Sequence, residues 1–201
     1  MRRKTFDALL TTGGLVVAIV LAVAGGLLAW GSSFAHNSVH KQLASQQIFF
    51  PPAAAFQSAK AGTEITPSMI PSVSQYAGKQ LLTGAEAKAY ADHFIAVHLS
   101  EMPYGGVYAK VSAASRANPS DKTLAAEVDT TFKGTTLRGL LLNAYAFDKM
   151  GSIAGIAATA SFIGAGVMLL LSGLGLLHTR RTSPDTEVMS WLNDKTPVPA
   201  E

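Results

Sequence analysis

The sequence has no cysteine and little charge: of its 201 residues, 14% are Asp, Glu, Lys or Arg, where a soluble domain carries about 25%. The missing cysteine excludes disulfides, thiolate zinc sites, iron–sulfur clusters and cysteine catalysis, and leaves the compartment open. The net charge of +3 is small, and the basic residues do not gather on a predicted face, so nucleic acid is not an expected partner. There is no Walker loop, no G-x-G-x-x-G, no G-x-S-x-G elbow and no H-E-x-x-H. Ionisable side chains are also missing from two apolar runs, Leu9–Trp30 and Met150–Leu177. Such groups mark ion paths and proton relays in membranes, and axial histidines hold haem. Their absence argues against ion transport and against haem between these segments.

Met150–Leu177 organises the chain. It is 28 residues long without a charge, and His178-Thr179-Arg180-Arg181 follows at once. About 20 helical residues cross a hydrocarbon core of about 30 Å. Eleven of the 25 residues in Ile153–Leu177 are Leu, Ile, Val or Phe. Each favours insertion by roughly 0.3–0.6 kcal/mol at mid-membrane. The buried helix of a soluble core is the competing reading, but such helices rarely run past about 14 apolar residues.

Arg2-Arg3-Lys4 precedes the 22-residue run Leu9–Trp30. A signal-peptide core is about 7–15 residues, so a retained span is expected, with cleavage near Ser33-Phe34-Ala35 as the alternative. Both basic clusters lie on outer flanks, which puts both termini in the cytoplasm by the positive-inside rule. The ten Lys and Arg of residues 35–149 do not oppose this, because long domains translocate largely regardless of charge. The expected organisation is a cytoplasmic N-terminus (1–8), a first span (9–34), an extracytoplasmic domain (35–149), a second span (150–177) and a cytoplasmic tail (178–201), in the plasma membrane.

Small residues recur every fourth place on the first span: Gly14, Ala18, Ala22 and Gly26. The second span carries Gly151, Gly155 and Thr159 at the same interval, then Gly164 and Gly166. Small stripes let helix backbones approach in lipid. They read either as a docking seam for another membrane protein or as the surface on which the two spans pack together.

In the external segment, His36–Gln47 is expected to extend the first helix until Phe49-Phe50-Pro51-Pro52 stops it. An Ala-, Ser-, Thr- and Pro-rich loop is expected to about Pro71, and Ser72–Leu82 is ambiguous. Ala85–Met102 has helical period, with Ala87, Tyr90, Ala91, Phe94, Ile95, His98 and Met102 on one face. Val107, Tyr108, Val111, Ala114 and Ser115 repeat that pattern, and Tyr104-Gly105-Gly106 reads as a turn. Asn118-Pro119-Ser120-Asp121 reads as a turn and cap before Leu124, Ala125, Val128 and Phe132. Gly134-Thr135 is expected to open another helix, a rod running from about Thr136 into the second span. The fold class is therefore an all-α membrane protein, an external helical bundle flanked by two transmembrane helices.

Chemistry is sparse. His36 and His40 share a helix face at a spacing that can hold a metal ion, with no third ligand near in sequence. Asp92, His93, His98 and Glu101 form the densest polar group; His98 and Glu101 can meet, but a histidine on an apolar face is more often a core residue with a satisfied hydrogen bond. No catalytic residue, metal site or cofactor is assigned. In the tail, Met189, Trp191 and Leu192 form a candidate anchor for a partner's groove or the lipid interface.

The two-span layout, the segment Tyr90-Ala91-Asp92-His93-Phe94-Ile95-Ala96-Val97-His98-Leu99 and the segment Thr135-Thr136-Leu137-Arg138-Gly139-Leu140-Leu141-Leu142-Asn143-Ala144-Tyr145 resemble a family of small actinobacterial membrane proteins, over most of residues 5–180. Some members carry a ring-opening dioxygenase label, but no iron ligand set is visible here. The family also resembles the accessory subunit, proposed as an assembly factor, of the mycobacterial cytochrome bc–cytochrome oxidase supercomplex. The resemblance implies a non-catalytic subunit of the respiratory electron-transport chain, whose partners are membrane lipid and other integral membrane subunits. The competing readings are an extracytoplasmic small-ligand receptor signalling through a partner, and a metal-dependent membrane enzyme using His36, His40, His93, His98 or Glu101.

Overall fold

A computed structural model of the chain describes residues 3–181. Among the described residues the protein is mostly helical and has no strand; one isolated antiparallel bridge joins Phe49 to Gln80. Two helices dominate: α1, Arg3–Gln46, and α7, Lys122–Arg181. Between them lie α2 (Ala53–Gln57), α3 (Ile70–Val73), α4 (Gly84–Tyr90), a π-helical turn (Ala91–Ile95), α5 (Ala96–Glu101) and α6 (Tyr108–Ala117). The chain divides into two compact units. One takes residues up to Gly31 and from Ala154 onward; the other is Ser32–Ile153.

The first unit is an antiparallel pair of helical segments. Its register follows from the glycines. A Cβ on Gly14 would lie 2.5 Å from Ser172 Oγ, one on Gly175 2.5 Å from Thr11 Oγ1, and one on Gly25 3.0 Å from the Phe162 ring. The buried positions are Thr11, Ala18 and Gly25 on one side and Ala158, Ala165 and Ser172 on the other. Both sets recur every seven residues, the spacing of a left-handed helix pair. The branched residues point away: Leu10, Val20, Leu27, Ile156, Ile163 and Leu170 are all exposed. Only 11% of the most apolar window of each long helix is buried. A soluble core helix would bury those side chains, so this pair is apolar on its outside.

The second unit has its own core. Val39 and Leu43 of α1, Phe56 of α2, Val73 of α3, Ala87 of α4, Ala91 and Ile95 of the π turn, and Leu141 of α7 are buried together with Phe50, Ile65, Met69 and Leu81. Burying a residue of this size stabilises by about 1.5–3 kcal/mol. Helix α1 ends where Gln47 takes a positive φ of 52°, four residues ahead of Pro51. The chain then runs beside residues 79–81: Phe50 N donates to Lys79 O and Leu81 N to Ile48 O, each at 2.9 Å. A capping box starts α4. Thr83 Oγ1 accepts from Glu86 N at 3.3 Å, and the Glu86 carboxylate accepts from Thr83 N at 2.9 Å.

Several expectations about this region are corrected. The stretch read as a loop to Pro71 holds α2 and puts Phe56, Ile65 and Met69 into the core. Helix α7 does not open at Gly134-Thr135 but starts at Lys122, after Asp121 Oδ1 accepts from Leu124 N at 3.0 Å. Gly134 sits inside the helix because a Cβ there would lie 2.9 Å from Leu99 Cδ2, so the glycine serves close packing rather than helix ending. Thr131, not Phe132, is the buried residue of that stretch; Phe132 is exposed beside Tyr108, ring centres 5.7 Å apart. Val107 and Tyr108 are also exposed, and Val111 alone of the α6 residues is buried.

Candidate functional site

Two polar clusters of the second unit tie α7 to another element. At the first, Asp92 leaves the π turn toward α7. Arg138 donates to Asp92 Oδ1 at 2.9 Å, and Lys88, one turn earlier, pairs with Asp92 Oδ2. The hydrogen bond from Lys88 holds the Asp92 carboxyl below its ordinary range, Arg138 adds to this, and partial burial opposes both. The same bond raises the Lys88 ammonium above its usual range. Lys88 Nζ also lies 5.5 Å from the centre of the Tyr145 ring on α7. Two cations against one carboxylate leave the cluster net positive. The π turn inserts an extra residue into the helix, and it is this turn that carries Asp92.

At the second place His36 meets α7. Its Nδ1 lies 2.9 Å from Ser32 O; its Nε2 lies 3.3 Å from Ser152 Oγ and 3.7 Å from Asp148 Oδ1. Histidine, serine and aspartate together invite comparison with a hydrolytic triad. That chemistry needs the carboxylate on one ring nitrogen and the hydroxyl on the other. Here both lie at Nε2, and a backbone carbonyl takes Nδ1, so the ring links helices instead of activating a nucleophile. The helices are close at this point: a Cβ on Gly151 would lie 2.8 Å from Ala35 Cβ, and one on Gly84 2.5 Å from Asp148 Cβ.

An aromatic file connects the core to α5. Phe50 stacks on Tyr76 with ring centres 5.0 Å apart and meets Tyr90 edge-on at 5.4 Å. Tyr90 touches Phe94 at 4.7 Å, and Phe94 touches His98 at 4.6 Å. Burial pushes the Tyr90 phenol upward, with the Glu64 carboxylate a smaller cause. His98 Nδ1 bonds Phe94 O at 2.9 Å, so His98 is tied to Phe94 and not to Glu101. His93, Glu101 and His40 are exposed. Among the described residues no group of three or more His, Asp or Glu is placed to hold a metal ion.

Two clefts open in this unit. One, of about 420 Å³, lies between α1 and α7 and includes Val39, Leu43, Leu140 and Phe147. The other, of about 510 Å³, includes Ser100, Tyr108, Thr135 and Arg138.

Of the small residues singled out on the apolar runs, Gly14, Ala18, Gly151 and Gly164 face the neighbouring helix, while Ala22, Gly26 and Thr159 are exposed and Gly155 is half-buried. The tail residues Met189, Trp191 and Leu192 lie outside the described residues. The sequence reading passed over Lys88, Arg138, Asp148 and Ser152. The Lys88–Asp92 spacing of four was a signal for an ion pair; nothing local announces that Arg138 lies against Asp92 from 46 residues away. No protein-family profile, curated protein or solved structure matches this chain.

Proposed function

We propose that this chain is a membrane-anchored, non-catalytic accessory or assembly subunit of a respiratory supercomplex of the cytochrome bc–oxidase type. It crosses the plasma membrane twice, with both termini cytoplasmic and residues 35–149 outside. One observation carries the reading: the helix pair of the first unit keeps small residues between the helices and turns its branched aliphatics outward. That distribution suits lipid and neighbouring membrane helices, and wastes apolar surface in water. Arg180 and Arg181 end α7 directly after the apolar run, supporting a cytoplasmic end there. The two polar clusters of the second unit tie α7 to other helices, which suits a scaffold. The respiratory assignment itself rests on the family resemblance of residues 90–99 and 135–145.

Extraction in a mild detergent, followed by native electrophoresis read for haem absorbance and by mass spectrometry, tests the reading. Co-migration with haem-bearing subunits is expected; recovery of the chain alone overturns it. Topology has a clean test because the chain has no cysteine. Single cysteines placed between residues 35 and 149 are expected to react with an impermeant maleimide on intact cells, and one introduced beside Arg181 is not.

A second reading, an external small-ligand receptor, draws on the cleft beside Arg138, where a guanidinium and the residues Ser100 and Thr135 line one opening. Thermal stabilisation of the full chain by small carboxylates would favour it.

A further inference from the structure

The cleft between α1 and α7 in the second unit takes no part in either polar cluster. Its α1 wall is Val39, Gln42, Leu43 and Gln46; its α7 wall includes Leu140, Ala144 and Phe147. These recur at helical spacing on the two facing helices, so the gap is continuous along both. No charged side chain lines it. The polar lining residues are three amides, Gln42, Gln46 and Asn143, which donate and accept hydrogen bonds without carrying charge.

We propose that this cleft holds one hydrocarbon chain of a membrane lipid, with the lipid's uncharged polar region at the three amides. A volume of about 420 Å³ lies in the range of sites that hold one ligand-sized guest. A water-soluble metabolite would find an apolar lining with no ion to hold it, whereas an acyl or isoprenoid chain matches that lining. Two lining residues present apolar surface to the outside: Leu140 is 61% and Phe147 40% exposed. In the sequence, Val39 follows the first apolar run within ten residues and Phe147 precedes Met150–Leu177 by three. The proposal therefore rests on the membrane reading above, but not on the identity of any protein partner.

The test uses the full chain in phosphatidylcholine nanodiscs doped with a phosphatidylcholine bearing a diazirine in mid-chain. After irradiation, digestion and mass spectrometry, adducts are expected on peptides spanning 137–147 as well as 153–177. Ala144→Phe, which fills the cleft, is expected to abolish the first set and keep the second. Leu140→Gln, an exposed change that leaves the core intact, is expected to reduce the first set in the same direction. Adducts confined to 153–177, or adducts on 137–147 unchanged in both variants, would overturn the proposal. Absence of label from 153–177 would overturn the membrane reading and the lipid site with it, whereas loss of haem co-migration with labelling intact would strike only the respiratory assignment.

Discussion

Arg138 of α7 donates a 2.9 Å hydrogen bond to Asp92 in the π turn, joining residues 46 apart in the chain. The π turn is thus held by a partner from another helix, and Lys88 takes the second carboxylate oxygen.

This cluster makes stability depend on pH in two windows. Asp92 is held below its ordinary range, so its contribution is complete above the unfolded carboxylate value of about 3.9 and is lost as pH falls through the lower folded value. Lys88 is raised, so its contribution is complete below about 10.4 and is lost as pH rises through the higher folded value. Melting temperatures of the purified chain in detergent, taken from pH 7 down to pH 3, are expected to fall less steeply in Asp92→Asn than in the parent. Arg138→Met at pH 7 is expected to cost about 1 kcal/mol, the scale of a partly exposed pair.

Gly14 and Gly26 differ in what surrounds them, although both belong to the four-residue stripe. A side chain at Gly14 meets Ser172 Oγ, whereas nothing lies within 4 Å at Gly26. Gly14→Leu is expected to destabilise by about 1–3 kcal/mol through overpacking. Gly26→Ala should stay within about 0.5 kcal/mol of the parent. Thermal unfolding followed by circular dichroism distinguishes them, and Ser172→Gly is expected to restore part of the loss in Gly14→Leu.

The Tyr104-Gly105-Gly106 turn predicts a second contrast. Both glycines have positive φ, 65° and 62°, but a Cβ on Gly106 would collide with the Leu99 carbonyl, while Gly105 faces open space. Gly105→Ala is expected to cost about 1–2 kcal/mol from left-handed backbone strain. Gly106→Ala should cost more and shift the α5–α6 connection, read as faster amide exchange in peptides covering residues 99–111.

Met69 is fully buried, within a stretch that sequence patterning assigns to a loop. Met69→Ala is expected to cost about 2–5 kcal/mol, measured by thermal unfolding. A value near zero would mean that the stretch before α3 is not part of the core.

Much of the helical plan was legible in the residues. The two apolar runs, the turn at Tyr104-Gly105-Gly106, the cap at Asp121 and the extension of α1 to Gln46 all follow from local composition and period. The misreadings have a common cause: each needed knowledge of a neighbour distant in sequence. Phe56, Ile65 and Met69 are spaced too irregularly to show a period, so only their burial in one cluster with Leu43 and Leu81 reveals them as core. Gly134 looks like a break by propensity, yet Leu99 requires a small residue at that point. The π turn has no composition of its own. At the candidate site, His98 is the hydrogen-bonded histidine that its apolar face suggests, tied to Phe94 O one turn earlier, although its spacing from Glu101 also allowed a pair. The spacing of small residues was visible as a stripe of four, whereas burial follows a repeat of seven, and only the opposing helix selects between the two.

The seven-residue repeat commits Thr11, Ala18, Gly25, Ala158, Ala165 and Ser172 to contacts within the helix pair. The outer faces carry mostly leucine, isoleucine and valine, with a few exposed small residues such as Ala22 and Gly26, and against such faces lipid tails compete with a protein neighbour on nearly equal terms. Attachment through those faces alone would be easily displaced by surfactant. The choice of solubilising agent should therefore decide whether any protein held against those faces stays with the chain through purification.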